Sequence, residues 1–284
     1  MVNGRYFIFG WKAAFFLSRK NPRRSAKVGG LIHFLAFFLT TYYYLLATNC
    51  PSMTFHIITL FPHAFDSYLG ESILKRAIED KKIRVKFYNP RDFTKDKHKR
   101  IDRAPYGGGP GMVIQALPVI RAIEKALASA KRKTQNAKRP EKTLHATRYT
   151  LHVPVVWLSP SGKQFTNERG MKYAKQSDLI IICGRYEGID ARVKKAFKVE
   201  EISAGPFVLT GGELPAMLMI DVISRQVPGV LGDFNSREES RVASPDVYTR
   251  PEVFEYKGKK LRVPKILLSG HHSKIDEWKL KRKK

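Results

Sequence analysis

The sequence predicts an α/β fold built on a mainly parallel sheet. After Met53, short apolar runs typical of buried strands alternate with longer stretches of helical periodicity, which is the pattern of such a sheet. Glycine-rich turns directly follow at least two of these strands, where an open parallel sheet places its ligand crevice. The sequence therefore also predicts a ligand site at the carboxyl edge of the sheet.

The individual elements follow from the spacing of apolar residues. Strands are expected at 55–60, 83–88, 153–158, 178–183 and 207–209. Helices are expected at 64–80, 115–130, 166–175 and 213–226. In the last helix, Leu214, Met217, Leu218 and Val222 recur at helical spacing, which indicates core packing rather than ligand binding. The polar, basic stretch 131–149 is interpreted as a solvated loop, with an RNA-contacting arm as the alternative.

Residues 1–52 differ in composition from the rest of the chain. They contain seven Lys/Arg, no acidic residue and an apolar run from Leu31 to Ala47. At about 17 residues, interrupted by His33 and two threonines, this run is at the lower limit for a membrane span. A signal anchor is the alternative, but we expect Met53 to be the true start, the extension to lie outside the native fold, and no stable membrane association.

The net charge of +27 favours a polyanionic partner, and nucleic acid is the commonest polyanion in a cell. The extension contributes only a minor part of this charge, so the inference holds for the remaining chain. A merely soluble basic protein or a ribosome-associated one is the alternative. The two cysteines, Cys50 and Cys183, exclude a disulfide framework and a zinc-ligand spacing, and no metal site is expected.

Three glycine-rich loops are the strongest motifs: 105–112, 183–190 and 205–215. None ends in the Gly-Lys-Ser/Thr of a phosphate-binding loop, and none has the Gly-x-Gly-x-x-Gly pattern of a dinucleotide site. Glycine lets backbone groups approach a ligand closely, because no Cβ intervenes. Such loops suit a ligand such as S-adenosylmethionine, whose adenine and ribose can be held by main-chain groups.

With Pro228–Gly232, Tyr248–Val253 and Leu268–His271, these loops resemble the TrmD family of bacterial tRNA (guanine-N1)-methyltransferases, in the SPOUT superfamily. The resemblance covers roughly Met53 to Trp278. It implies a deep trefoil knot in the C-terminal half of the fold, and methyl transfer from S-adenosylmethionine to N1 of the guanosine at position 37 of tRNA. In the family this modification supports reading-frame maintenance. The resemblance further implies a cytoplasmic homodimer, tRNA as partner and a response to Mg²⁺.

The resemblance also implies a domain plan: a methyltransferase domain at 53–232, a linker at 233–247, and a short, truncated helical tRNA-binding segment at 248–284. It implies that three loops hold the donor. The matching residues are Leu158, Ser159, Pro160, Gly184, Tyr186, Glu187, Ser203, Ala204, Gly205, Phe207, Leu209, Gly211, Gly212 and Pro215. Ala204 and Phe207 depart from the family, which usually has a larger aliphatic residue and a tyrosine there. Phe207 keeps a stacking surface but lacks a hydroxyl group.

The catalytic residues follow from the chemistry together with the resemblance. N1 of guanine is protonated at neutral pH, so a general base must remove its proton, and a cation near O6 would stabilise the developing charge. Glu239 matches the position of the family's linker base, where aspartate is usual, and Asp246 is the alternative base. Arg225 matches the arginine that assists at the guanine. Solvated linker acids without a catalytic role are the alternative for both carboxylates.

A basic run precedes the first glycine-rich loop. Asp102 matches an acidic residue near the target nucleotide, while His98 and Arg100 belong to a run that can contact RNA phosphates. A solvated turn is the alternative. Two other functions also remain open from sequence: a SPOUT enzyme acting on a ribose or another base, and a non-catalytic basic RNA-binding protein.

Overall fold

The computed structural model describes residues 52–136, 153–231 and 246–282, with only the backbone described for 131–136. The N-terminal extension up to residue 51 lies outside the described residues. So do most of the predicted linker, including Glu239, and most of the basic stretch 131–149. The domain boundaries at 232 and 247 therefore stay predictions.

The described elements alternate between strands and helices along the chain. The strands are β1 Met53–Ile58, β2 Ile83–Tyr88, β3 Asp102–Arg103, β4 Val113–Ile114, β5 Val155–Gln164, β6 Asp178–Ile182, β7 Glu200–Ser203, β8 Val253–Tyr256 and β9 Lys259–Arg262. The helices are α1 Asp66–Leu69, α2 Ser72–Glu79, α3 Ala116–Asn136, α4 Asn167–Ala174, α5 Arg192–Ala196, α6 Glu213–Ser224, α7 Lys265–Leu268 and α8 His272–Lys281. Short 3₁₀ helices lie at Pro62–Phe65 and Pro90–Phe93.

The central sheet has five parallel strands in the order β2-β1-β6-β5-β7. The predicted α/β fold with a mainly parallel sheet is therefore confirmed. Strand β5 pairs with β7 twice, because the register shifts between Leu158 and Lys163 and the residues between them leave the ladder. A Cβ on Gly162 would lie 2.5 Å from the backbone nitrogen of Ile202, so the returning chain touches β7 directly.

Helices cover both faces of this sheet. Alternate residues of each strand point to opposite faces, so Leu179 and Ile181 join one core cluster and Ile180 and Ile182 the other. The first cluster is closed by apolar residues of α2, α4 and α6, and the second by apolar residues of α3 and α5. This three-layer arrangement explains why every residue of β6 is buried and why the four residues after Asp178 are all apolar.

One strand prediction in the second half of the chain needs correction, and one hairpin was not predicted. The strand expected at 207–209 is wrong, because these residues lie in a loop and the fifth sheet strand is Glu200–Ser203. Tail residues 253–262 form an antiparallel hairpin that was not predicted. Its turn places Lys257 and Gly258 at positive φ, 49° and 73°, as a tight two-residue hairpin turn requires. Helices α7 and α8 follow this hairpin.

Two helix predictions also need correction. The helix expected at 64–80 is broken into a 3₁₀ turn, α1 and α2. The break falls at Gly70, where a Cβ would meet the carbonyl oxygen of Asp66 at 2.6 Å, and Ser72 then adopts a φ of 50°. By contrast, α3 runs on to Asn136, into the stretch interpreted as a loop. The helices expected at 166–175 and 213–226 are confirmed within two residues at their ends.

The buried side chain of Tyr173 connects helix α4 to the edge strand β7 through a hydrogen bond. The hydroxyl of Tyr173 donates to Oε2 of Glu200 at 2.5 Å, and Arg169 forms an ion pair with the other carboxylate oxygen. Burial raises the pKa of Glu200, but the hydrogen bonds from Tyr173 and Arg169 and nearby positive charge outweigh it, so its net pKa lies below the ordinary value. The folded state is therefore stabilised by the ionised carboxylate above the unfolded-state pKa, and this contribution is lost as the pH falls through the folded-state pKa.

Replacing Tyr173 with phenylalanine is expected to lower the free energy of unfolding by about 1 kcal/mol at neutral pH, because a buried hydrogen bond is lost. The difference from wild type should shrink in acid, where Glu200 is protonated in both proteins. Urea unfolding at several pH values measures both quantities. Tyr106→Phe, at a fully exposed ring, is the matched control. Equal stability of Tyr173→Phe and wild type at pH 7 would contradict this account.

Among the described residues, no helix combines the length and the apolar character needed to cross a bilayer.

Candidate active site

A cavity of about 450 Å³ opens at the carboxyl ends of β6 and β7, beside the point after Leu158 where β5 leaves the ladder. This volume is in the usual range for a small-molecule site. Three segments form most of its wall: the Ser159 loop (158–161), the Tyr186 loop (184–189) and the Phe207 loop (203–212). The sequence predicted a ligand site at this edge of the sheet, and the structure places a crevice of suitable size there.

Thirteen of the fourteen residues predicted to hold the donor line this one cavity. They are Leu158, Ser159, Pro160, Gly184, Tyr186, Glu187, Ser203, Ala204, Phe207, Leu209, Gly211, Gly212 and Pro215. Gly205 does not line it, because the ring of Phe207 lies across the glycine, in the space that a Cβ would occupy. Gly205 instead allows Phe207 to fold back toward the opening.

The Phe207 loop is held in place by hydrogen bonds to its backbone and by close approach of main-chain atoms. The hydroxyl of Ser203 donates to the carbonyl oxygen of Gly205 at 2.9 Å, so this side chain forms a hydrogen bond within the loop. The amide of Gly212 donates to the carbonyl oxygen of Gly184 at 2.9 Å. A Cβ on Gly212 would lie 2.6 Å from Cα of Cys183, so only glycine permits this approach between the Phe207 and Tyr186 loops.

Sequence reasoning missed several cavity residues. Trp157 closes one side, with Nζ of Lys194 lying 5.0 Å from its ring centroid. Lys194 also forms a 2.7 Å ion pair with Glu201, and both line the cavity. Trp157 directly precedes the predicted Leu158 and could have been inferred from chain continuity. Lys194 lies on α5 and Glu201 lies on β7, and neither element was predicted from the sequence.

The glycine-rich loop 105–112 lies against the Tyr186 loop. The amide of Glu187 donates to the carbonyl oxygen of Met112 at 3.0 Å, and Ile114 bridges to Ile189. Gly111 has a φ of 82°, and a Cβ there would meet the Glu187 side chain at 2.7 Å. Tyr106, at the start of this loop, is fully exposed. The loop therefore stands beside the cavity with its tip in solvent.

Cys183 is buried beneath the cavity. Burial, reinforced by the charge of Glu213, raises the pKa of its thiol well above the ordinary value. A neutral, buried thiol is a poor nucleophile, which indicates a packing role. Within residues 52–136, 153–231 and 246–282, no group of three or more His, Cys, Asp or Glu side chains is placed to hold a metal ion.

The structure does not bring the predicted catalytic residues to the cavity. Glu239 lies outside the described residues. Arg225 caps the carboxyl end of α6, whereas the cavity contacts the amino end. A twelve-residue helix is about 18 Å long. Asp246, in the predicted linker, forms an ion pair with Arg282 of the tail.

The predicted RNA-contacting residues lie on one short segment. Asp102 forms part of β3, and His98 and Arg100 are exposed in the preceding turn. Oδ1 of Asp96 accepts from the amide of His98 at 2.7 Å and from that of Arg100 at 3.4 Å. These hydrogen bonds lower the pKa of Asp96. The basic turn is therefore ordered by its own acidic residue, while the side chains of His98 and Arg100 remain exposed.

Fold and cavity together define an α/β protein with a small-molecule crevice at the carboxyl ends of parallel strands. Within that class, the chain belongs to the family described as tRNA (Guanine-1)-methyltransferase TrmD, whose sequence profile matches residues 53–284. The family predicted from the ordered glycine-rich motifs is thereby confirmed.

Curated relatives agree over most of their length. The chain is 43% identical to the tRNA (guanine-N(1)-)-methyltransferase of Clostridioides difficile (strain 630), over 80% of this chain and 90% of the relative. It is 43% identical to the enzyme of the same name from Janthinobacterium sp. (strain Marseille), over 81% and 86%. It is 44% identical to the tRNA (guanine-N(1)-)-methyltransferase of Caldanaerobacter subterraneus subsp. tengcongensis, over 80% of this chain and 85% of the relative.

Proposed function

We propose that the protein transfers a methyl group from S-adenosylmethionine to N1 of the guanosine at position 37 of tRNA, and so supports reading-frame maintenance. The observation that carries this proposal is the convergence on one cavity of thirteen residues, from three loops, that the family resemblance implied. Membership of the TrmD family supplies the reaction class. The cytoplasm is the expected location, because the substrate is tRNA.

The residues around the cavity suit the donor. Glycine-rich backbone at Gly184, Gly211 and Gly212 offers amide and carbonyl groups for an adenosine. Phe207 and Leu209 offer apolar surface, and the carboxylate of Glu187 offers negative charge for a sulfonium. The bound donor supplies an electrophilic methyl group. The protein's part is to hold the guanine in line with that group and to exclude water.

Proton removal from guanine N1 is assigned to Glu239. Asp246, the alternative base, is engaged with Arg282 in the tail, which favours Glu239. Arg225 is proposed to stabilise negative charge at O6 as N1 loses its proton. The bond between N1 and the methyl group forms as the sulfur–methyl bond of the donor breaks, and S-adenosylhomocysteine leaves. The methylated ring is uncharged, because the N1 proton leaves on the carboxylate.

A homodimer is proposed to complete the site. Arg225 lies about one helix length, roughly 18 Å, from the cavity end of α6, which favours a second copy as the source of this arginine. Large apolar residues around the cavity mouth and α6 are exposed, as a protein interface requires. They are Phe61, Tyr68, Phe207, Val208, Leu214 and Leu218.

The RNA surface is proposed to include the basic turn at His98 and Arg100, with Asp102, and the exposed basic hairpin β8–β9. The net charge of +27 supports this assignment.

Four further features stay proposals as well: a trefoil knot, the role of residues 248–284 in tRNA binding, a start at Met53, and a Mg²⁺ response. The double pairing of β5 with β7 supports the knot, because it brackets a loop of the chain.

Labelled S-adenosylmethionine and two tRNA transcripts test the function directly. With the full chain, and with the chain starting at Met53, label should enter the transcript with guanosine at position 37 and map to N1. The matched transcript with adenosine at that position should remain unlabelled. Donor binding without transfer to either transcript would contradict the assigned target. RNA binding without donor binding would favour the non-catalytic alternative.

A further inference from the structure

Glu213, the first residue of α6, is a buried carboxylate that does not line the cavity. It is only 3% exposed, and glutamate is rarely so buried unless its charge is paired. The hydroxyl of Thr59 donates to its Oε1 at 2.8 Å, and Nε of Arg185 lies 2.8 Å from its Oε2. The Nε–H is not aimed at Oε2, so this second contact is an ion pair rather than an aligned hydrogen bond. The helix amino terminus adds favourable positive potential.

The contacts around Glu213 close into a ring. Thr59 is buried, and its hydroxyl oxygen also accepts from the amide of Phe61 at 3.0 Å. The guanidinium carbon of Arg185 lies 4.8 Å from the ring centroid of Phe61. Each member therefore touches two others. We call Thr59, Phe61, Arg185 and Glu213 the Glu213 clasp.

The clasp joins three segments at the carboxyl edge of the sheet. Thr59 follows β1, Arg185 belongs to the Tyr186 loop after β6, and Glu213 follows the Phe207 loop. Arg185 also reaches into the Phe207 loop, where it bridges to Gly211 and its NH1 donates to the carbonyl oxygen of Thr210 at 3.4 Å. The Arg185 side chain fills the space that a Cβ on Gly211 would need, so the two loops are in direct contact.

These contacts fix the distance between two walls of the cavity. Gly184 and Tyr186, on either side of Arg185, line one wall, while Leu209 and Gly212 line the other. Walls that are held in the bound geometry before the ligand arrives lower the free-energy cost of binding. A buried carboxylate held by a hydroxyl and a guanidinium can do this. Losing the hydroxyl leaves a buried oxygen without its hydrogen bond, and losing the guanidinium leaves an uncompensated buried charge.

We propose that Thr59 and Glu213 are positioning residues, which act through Arg185 to hold the Tyr186 and Phe207 loops at the separation that the methyl donor requires. This inference rests on the proposed function in one respect, namely that the cavity binds S-adenosylmethionine. Neither Thr59 nor Glu213 lines the cavity, so their effect on binding is indirect.

The matched pair Thr59→Val and Thr59→Ser tests the clasp in the full chain. Valine keeps the shape of threonine but removes the hydroxyl, whereas serine keeps the hydroxyl. Thr59→Val is expected to weaken S-adenosylmethionine binding about tenfold by calorimetry. The KM for the donor should rise by a similar factor, with kcat at saturating donor and KM for tRNA within about twofold. Thr59→Ser should remain within about twofold of wild type in every quantity. Glu213→Gln should change the same quantities in the same direction as Thr59→Val.

Amide hydrogen exchange provides a readout that needs no donor. In Thr59→Val, but not in Thr59→Ser, the amides of Gly212 and its neighbours in the Phe207 loop should exchange faster. Tyr173→Phe controls for lost stability alone, because Tyr173 does not line the cavity, and its donor affinity should be unchanged. Unchanged exchange in Thr59→Val, or unchanged donor affinity where wild type binds donor, would overturn the clasp. If wild type binds no donor, the proposed function fails, and the exchange comparison alone decides whether the clasp orders the loops.

Discussion

Gly212→Ala is expected to abolish donor binding and to destabilise the fold. The added methyl group would lie 2.6 Å from Cα of Cys183 and 2.9 Å from the backbone nitrogen of Gly184. Both are main-chain atoms of a buried strand end, which cannot move aside as a flexible side chain can. The Phe207 loop must therefore retreat and lose its 2.9 Å hydrogen bond to Gly184. We expect at least a hundredfold weaker binding of S-adenosylmethionine, about 2.7 kcal/mol, by calorimetry.

A second glycine distinguishes loss of the site from a general effect of added methyl groups. Gly258 lies in the hairpin turn of the tail, where nothing stands within 4 Å of the place that an added methyl group would take. Gly258→Ala should cost about 1 kcal/mol of stability through its positive φ, with donor affinity unchanged. The account is wrong if Gly212→Ala binds the donor as well as Gly258→Ala does.

Arg225→Ala is expected to lower kcat by about 10²–10³-fold, the usual effect of removing a group that stabilises developing charge. Donor affinity should remain within about twofold of wild type, because Arg225 does not line the cavity. Single-turnover methyl transfer at saturating donor measures the chemical step. Arg225→Lys should retain part of the rate, since a cation remains. A parallel fall in donor affinity would instead indicate a structural role for Arg225.

Mixing the two inactive variants tests where Arg225 acts. In a heterodimer of Gly212→Ala and Arg225→Ala chains, one cavity is intact and faces a partner with an intact arginine. If Arg225 acts across the interface, random re-association should restore about a quarter of wild-type activity. If it acts within its own chain, every site in the mixture lacks one function and no activity returns. A monomer with full activity would refute the dimer altogether.

The sequence predicted the cavity better than it predicted some of the strands around it. Glycine-rich turns at Gly184 and Gly211–Gly212 are visible without a structure, because their spacing from apolar strands is local. Strand β7 was missed because Glu200 and Glu201 mask its pattern at the sheet edge. The apolar triplet at 207–209 was mistaken for that strand, yet Phe207 is 53% and Val208 80% exposed.

Other features depend on contacts that no local pattern encodes. The break at Gly70 follows from an approach to the carbonyl oxygen of Asp66, which helical periodicity alone does not reveal. The pairing of Thr59 with Glu213 joins residues 154 positions apart. Lys194 and Glu201 reach the cavity only because α5 and β7 place them there. Family resemblance named the donor residues, but not the residues that hold their loops in position.

The long separation between Thr59 and Glu213 has a consequence for biosynthesis. Closing a loop of this size is entropically costly, and both of its ends must be present before the contact can stabilise the fold. During translation, β1 and β6 leave the ribosome well before α6. A nascent chain that has not yet released Glu213–Ser224 therefore lacks the carboxylate that holds the Tyr186 and Phe207 loops together. The crevice is thus ordered only after all five strands of the central sheet have been synthesised.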